Sequence, residues 1–339
     1  MRAIPHKDRI SCIIRTSASA RGGDYYERNV ADVLKDYCHL TTWELQDKLP
    51  GFLKFSRLGY FYETWTGSPY RADLLITNKA GVFYGIKLDK FERNILIVHH
   101  VDANQNSHSI INRGIERYIL SKLLKFDKIV TVAQYWKSFL QQYVPAEKVV
   151  VIYNSFPVHK IQSRITGFDP EEFKTKYSIP LGRRIVYAGN SLKSKGILKT
   201  KEFLENSPYH IITSGAKDVD CGTQHLTLSY QEYLKLLSIA DVSVLLSEFK
   251  EGWNRIAHES LLCGTPVIGA AIAGMGELLT ESKQIIYRNG EDLKSVIEEV
   301  VDNPEIVQRG QDFVKQFDLG YLKREWIKVI KDLFPDQPD

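Results

Sequence analysis

No apolar run in this sequence approaches the roughly eighteen residues that a membrane-spanning helix needs, and its opening, MRAIPHKDRI, lacks the apolar core of a secretory leader. These two absences lead to the expectation of a protein made and kept in the cytoplasm. Cysteine is scarce: Cys12, Cys38, Cys221 and Cys263 stand far apart and form no C-x-x-C pair. That excludes a zinc knuckle and a dithiol redox motif, and reduced, mostly buried thiols are expected. Nothing in the composition suggests disorder or a solenoid. What is present is a chain of 339 residues with 43% hydrophobic content, enough to bury two cores, and the length favours two domains over one.

Charge is unevenly spread. Residues 1–160 carry 23 Lys and Arg against 15 Asp and Glu, a net +8, whereas residues 161–339 carry 22 against 26, a net −4. A basic surface attracts anionic partners such as lipid headgroups, nucleic acid or a phosphorylated acceptor, and a solvated basic face with no partner is the plain alternative. Between Cys38 and Leu88 the aromatic residues Trp43, Phe52, Phe55, Tyr60, Phe61, Tyr62 and Trp65 are interleaved with Lys54 and Arg57. Core packing accounts for most of them, and contact with a membrane interface is the second reading.

The chain is organised around Val242 to Leu279. Val242 to Leu246 has no polar break beyond Ser243 and suits a strand buried on both faces; a polar loop follows at Ser247. Ile256, Leu261 and Leu262 recur at helical spacing up to Gly264, and Pro266 to Gly269 reads as another strand. In open α/β sheets ligands collect at the carboxyl ends of strands, so the loop from Ser247 to Asn254 should face a site. Glu251 and Glu259 are eight residues apart, about two helical turns, so a helix starting near Glu251 places both carboxylates along one side. By spacing alone, two ordinary acids on a solvated face is the plainer reading.

The residues around them, EGWNRIAHESLLCGTPVIG followed by AGMGE, closely resemble the nucleotide-sugar site of glycosyltransferase family 4. The family pattern is E-G-F-G, four residues, E-A-x-x-x-G-x-P-V, then G-G-x-x-E. Glu251, Gly252, Glu259, Gly264, Pro266, Val267, Gly274 and Glu277 are kept, with Trp253 at the aromatic position; Asn254 and Ala273 replace residues that are usually Gly. The resemblance implies that Glu259 holds the donor ribose, while Glu251, Gly252 and Trp253 surround the transferred sugar.

Other stretches extend the resemblance along most of the chain, with Leu40 to Leu88 the weakest part. Ile10 to Ile14 reads as a strand, followed by Gly22, Gly23 and a helix through Val30, Val33 and Leu34. Such a turn lets backbone approach a phosphate, and the family has a similar turn facing the donor phosphates; plain turn glycines are the alternative. Ala72 to Thr77 and Ile95 to Val98 read as strands. The segment HHVDANQNSH then brings His99, His100, Asp102 and His108 together in sequence, but adjacent histidines on an extended strand end point opposite ways, so no metal site is expected. By resemblance, His99 lies near the acceptor and the transferred sugar, with His100 the alternative one register along. Phe126 to Asn154 forms strand, helix and strand, closing the first domain, and Pro157 to Gly167 reads as the linker.

The second domain opens with a strand ending at Gly189, a polar loop, then Lys195, Gly196 and a helix. The family reads G-R-x-x-x-x-K-G here, with both cations on the diphosphate; Lys195 fits and Asn190 replaces the Arg. Arg255 is the candidate for the missing charge, or else a structural arginine pairing with Glu251 or Glu259. His210 to Ser214 forms a strand, Ser229 caps a helix over Tyr230 to Ile239, and Tyr230 either stacks on a base or packs. The last helix, 319–334, should pack back on the first domain by resemblance.

The expectation is therefore an α/β protein of GT-B architecture. Residues 1–157 form an acceptor-side Rossmann-like domain, and residues 158–318 form a nucleotide-sugar-binding one. The implied function is a retaining glycosyltransferase, a hexosyltransferase, that moves sugar from a UDP- or GDP-sugar to a glycan or lipid-linked acceptor in cell-surface polysaccharide or glycoconjugate biosynthesis. It needs no metal and no nucleic acid partner, and can touch the inner face of the membrane. His99, Glu251 and Lys195 are the catalytic candidates. Gly22, Gly23, Gly189, Asn190, Lys195, Gly252, Trp253, Asn254, Arg255 and Glu259 are the donor-binding candidates. A nucleotide-sugar epimerase of the same architecture and a non-catalytic donor-binding subunit remain as alternatives.

Overall fold

A computed structural model describes residues 9–16, 22–44, 71–83, 86–101 and 110–336. The chain divides into two compact units, Met1–Ser155 with Leu319–Asp339, and Phe156–Asp318.

In the first unit, apolar runs pair into one parallel sheet: β1 (Ser11–Thr16), β2 (His39–Glu44), β3 (Ala72–Asn78), β4 (Phe91–Val98), β5 (Lys128–Thr131) and β6 (Val149–Val151), in the order β2-β1-β3-β4-β5-β6. Among the described residues the helices between them are α1 (Gly22–Leu34), α2 (Lys79–Phe83), α3 (Ile110–Lys122) and α4 (Gln134–Leu140). Chain order reverses between β1 and β3, and with right-handed crossovers this puts connecting helices on both faces and opens a crevice at the strand ends.

Two features of this unit depart from the sequence reading. β1 runs on through Arg15 and Thr16, both buried, where a loop was expected. β2 was not anticipated: its HLTTWE carries two threonines, and of His39 to Trp43 only Trp43 is buried, as befits an edge strand. Its pairing also brings together two cysteines that the sequence separates, for the thiols of Cys12 and Cys38 hydrogen-bond one another, both unoxidised.

The second unit repeats the plan. Its elements are α5 (Val158–Ile165), α6 (Pro170–Lys176), β7 (Ile185–Tyr187), α7 (Ile197–Phe203), β8 (His210–Ser214), β9 (Gln224–Leu226), α8 (Tyr230–Ile239), β10 (Val242–Leu245), α9 (Arg255–Leu262), β11 (Val267–Ala270), α10 (Ala273–Glu281), β12 (Ile285–Tyr287), α11 (Leu293–Val300) and α12 (Pro304–Lys315). The parallel sheet runs β12-β11-β10-β7-β8-β9, reversing between β10 and β7. Ser229 closes a capping box with Glu232 at the start of α8, as its sequence position predicts. The segment expected to be a linker is instead α5, which buries Val158 and Ile161 and packs on α8 and α9. Its apolar residues sit three apart, a helical stripe that its many polar neighbours obscured. The final helix, α13 (Leu319–Leu333), packs on α1 in the first unit, where Trp326 Nε1 donates to Tyr26 Oη at 3.3 Å.

Candidate functional site

The crevice of the second unit lies where β7 and β10 meet, and the loops after those two strands carry the predicted residues. After β7 the backbone turns at Gly189 (φ 73°) and again at Gly196 (φ 78°). A Cβ on Gly196 would lie 2.0 Å from the carbonyl oxygen of Leu246, so only glycine lets this loop lie against the end of β10. The close approach places the preceding Lys195 beside the second loop, and its Nζ donates to Glu251 Oε1 at 2.7 Å.

The loop after β10 is fixed at several points. The carbonyl of Glu251 accepts from Gly274 N at 3.2 Å, and Trp253 Nε1 donates to His258 Nδ1 at 3.0 Å. Asn254 Oδ1 accepts from Ala257 N at 2.8 Å, capping α9. Helix α9 is in turn tied to β10 by the buried Ser243 and Ser260 hydroxyls, 2.8 Å apart. Glu251 therefore stands in the loop, one turn before the helix, and the expected arrangement of both acids on one helical face is not what forms. Asn254, a capping residue, starts α9 at Arg255.

Glu259, only 2% exposed, accepts from Tyr230 Oη at 2.7 Å, from Tyr233 Oη at 3.0 Å and from Arg255 Nε at 2.7 Å, and Arg255 Nη2 lies 2.7 Å from the same Oε1. Of the two readings of Arg255, pairing with Glu259 is the one seen. Burial, with the Glu259 charge next in size, raises the Tyr230 and Tyr233 phenols well above their ordinary range, so both stay protonated donors. Tyr230 and Tyr233 were not assigned to Glu259 from sequence; their spacing of three on a capped helix was the available signal.

Trp253 contributes backbone to the loop, while its side chain packs edge-on against Phe317 at 5.9 Å. Gly252 is buried beside it. Asn190 follows Gly189, with a buried Oδ1 that has no hydrogen-bond partner among the described residues. Ala273, where the family has Gly, adopts φ 50°, the left-handed conformation that glycine relieves.

In the first unit, the β1 and β4 ends bring Gly23 and His99 together: a Cβ on Gly23 would lie 3.0 Å from His99 Cδ2. Gly22 opens α1 beside it. The imidazole meets Tyr26 edge-on at 5.3 Å, and its Nε2 lies 4.0 Å from Oε1 of Glu27, a residue the sequence did not single out. Glu27 is buried and receives Asn78 Nδ2 at 2.8 and 3.0 Å. Burial pushes Glu27 up to about 8, and burial together with the charges of His100 and Lys79 lowers His99 to about 3. At neutral pH the contact is thus between two uncharged groups. Among the described residues no group of three or more His, Cys, Asp or Glu could hold a metal; Asp102 and His108 lie outside those residues, as does the aromatic stretch from Phe52 to Trp65.

Residues 216–316, which include Glu251 and Glu259, match the family model described as glycosyl transferases group 1. Over those residues the chain is similar to the glycosyl transferases group 1 family. An uncharacterized glycosyltransferase of Methanocaldococcus jannaschii is 24% identical over 259 residues, 71% of this chain and 68% of that protein. Sucrose-phosphate synthase from Thermosynechococcus elongatus has a similar structure, with a TM-score of 0.75 at 17% identity, covering 96% of this chain and 99% of that one. HepE of Anabaena, solved in complex with UDP-glucose, gives 0.72 at 14% identity over 95% of this chain and 100% of its own. These likenesses establish the fold, the GT-B class of two α/β units with parallel sheets. The Glu251 to Glu277 pattern lies inside the segment matched by the family model, whereas Lys195 precedes it.

Proposed function

We propose that the chain is a retaining glycosyltransferase that moves a hexose from a nucleoside diphosphate sugar to a glycan or lipid-linked acceptor in cell-surface polysaccharide or glycoconjugate synthesis. The observation that carries this reading is the contact of Lys195 with Glu251, which joins the loops after β7 and β10 at the crevice where open α/β sheets bind ligands, with Glu259 on the helix that follows the second loop. Likeness to a protein solved with UDP-glucose favours a UDP-sugar, with a GDP-sugar second.

In this reading Glu259 accepts the ribose hydroxyls, and Glu251 with the backbone of Gly252 and Trp253 surrounds the sugar. As the bond to the sugar breaks, negative charge collects on the diphosphate. Lys195, Arg255 and the positive end of α9 are the groups to stabilise it, a scheme that runs without a metal. Gly22, Gly23 and His99 serve the acceptor and phosphate side. The test is a thermal-shift panel of UDP-, GDP-, ADP- and TDP-sugars, followed by assay for free or transferred sugar, because a bound donor stabilises the fold by mass action. Glu259→Ala should weaken donor binding by on the order of 2–4 kcal/mol, and Glu259→Gln by less. Unchanged affinity in a folded Glu259→Ala protein removes this residue from the site.

A further inference from the structure

Glu259 is already occupied. Four donor atoms already surround its carboxylate: Arg255 Nε and Nη2 and the Tyr230 hydroxyl crowd Oε1, which has about two acceptor positions, and the Tyr233 hydroxyl takes one of the two on Oε2. At 2% exposure the carboxylate also presents almost nothing to solvent. A ribose cannot reach it until one of these donors leaves. Arg255 supplies two of these four contacts, a hydrogen bond from Nε and an ion-pair contact from Nη2, and its side chain is 19% exposed, so its departure clears the most room at Oε1.

The surroundings suit a guanidinium that has two places to be. The Arg255 guanidinium carbon lies 5.4 Å from the Tyr230 ring and 5.7 Å from the Phe156 ring, faces along which a planar cation can slide without losing its aromatic contacts. Arg164 lies 5.3 Å from the same Tyr230 ring and enters no ion pair among the described residues. Two guanidinium groups thus flank Tyr230, while Glu259 is the acid that answers one of them. The cluster has positive charge to spare for an anion.

We propose that Arg255 is a plug: in the ligand-free protein it holds the positions on Glu259 that a ribose takes, and a nucleoside diphosphate moves it from Glu259 onto the diphosphate. This rests on the reading of the chain as a nucleotide-sugar enzyme. Breaking a buried ion pair with nothing in exchange is strongly unfavourable. A nucleoside diphosphate supplies both replacements, hydroxyls for Glu259 and phosphate oxygens for Arg255, whereas a nucleoside supplies only the first. The plug therefore makes Arg255 a specificity-determining residue that favours diphosphates over nucleosides.

Calorimetry with uridine and UDP, guanosine and GDP, and adenosine and ADP tests this on the wild type, Arg255→Met and Arg255→Lys. For the base whose diphosphate binds the wild type, Arg255→Met should bind the nucleoside about tenfold more tightly, since a charged hydrogen-bonding competitor is gone. The same variant should bind the diphosphate more weakly, so the two affinities converge. Arg255→Lys keeps the charge balance and folds most safely; it should show a smaller gain for the nucleoside while keeping its preference for the diphosphate. Nucleoside affinity that is unchanged or lower in both variants, with circular dichroism like the wild type's, overturns the plug and leaves the enzyme reading intact. Failure of all three diphosphates to bind the wild type overturns the enzyme reading, and the plug with it.

Discussion

Asn254 shows how a departure from a family pattern can acquire a structural use. Its Oδ1 satisfies the amide of Ala257, and its backbone is extended rather than left-handed, so asparagine here is a helix cap. Asn254→Ala should cost about 1 kcal/mol in chemical denaturation, and Asn254→Gly a few tenths. Glu27 makes a pH-dependent prediction. Its carboxyl stands at about 8 in the folded chain against an ordinary 4.5, chiefly through burial. Between those values the folded chain keeps a proton that the unfolded chain has lost, so stability falls as pH rises from 4.5 to 8 and then levels. His99 works the other way, resisting protonation down to about 3 and weakening the fold as pH falls below its ordinary 6.5. Relative to Glu27→Gln, the wild type should lose on the order of 2–4 kcal/mol between pH 5 and pH 8, read from urea midpoints at the two pH values. A pH-independent difference removes the buried-acid account.

Among the elements, the β7 and β10 loops act as one device. Gly196 lies against the Leu246 carbonyl and leaves no room for a Cβ, and that contact carries Lys195 to Glu251. Gly196→Ala should therefore destabilise the protein by about 2 kcal/mol or more, through overpacking and a left-handed alanine together. The altered Lys195 position should also weaken binding of a nucleoside diphosphate more than that of a nucleoside. Equal losses for the two would separate the glycine from the phosphate side of the site. Helix α5 teaches something different about legibility. Six of its eight residues are polar or charged or lie toward solvent, yet Val158 and Ile161 anchor it beneath α8 and α9. Two buried residues suffice once a partner surface exists, and a sequence window cannot display that surface.

Over the whole molecule, the +8 of residues 1–160 against the −4 of the remainder is the feature with a partner in view. Electrostatic attachment to anionic membranes should weaken as salt screens it. Flotation with phosphatidylserine vesicles should recover the protein at low salt and release it at high salt. No recovery at low salt would favour a soluble acceptor over a lipid-linked one. No helix among the described residues is long and apolar enough to cross a membrane.

Sequence alone determined what depends on local pattern. The buried strands from Val242 and Ile95, the Ser229 cap, the end of α9 at Gly264 and the spacing of Lys195, Glu251 and Glu259 were all legible, because strand burial, capping and motif spacing involve residues close together along the chain. Tertiary structure decided which groups meet. It paired Glu259 with Tyr230 and Tyr233 from a helix some thirty residues earlier, set Glu27 beside His99 and joined the Cys12 and Cys38 thiols. It also moved Glu251 off the helix face that simple spacing had given it. The physical reason is that parallel strands bring their following loops together across long stretches of chain, and hydrogen bonds and charge respond to that proximity in space.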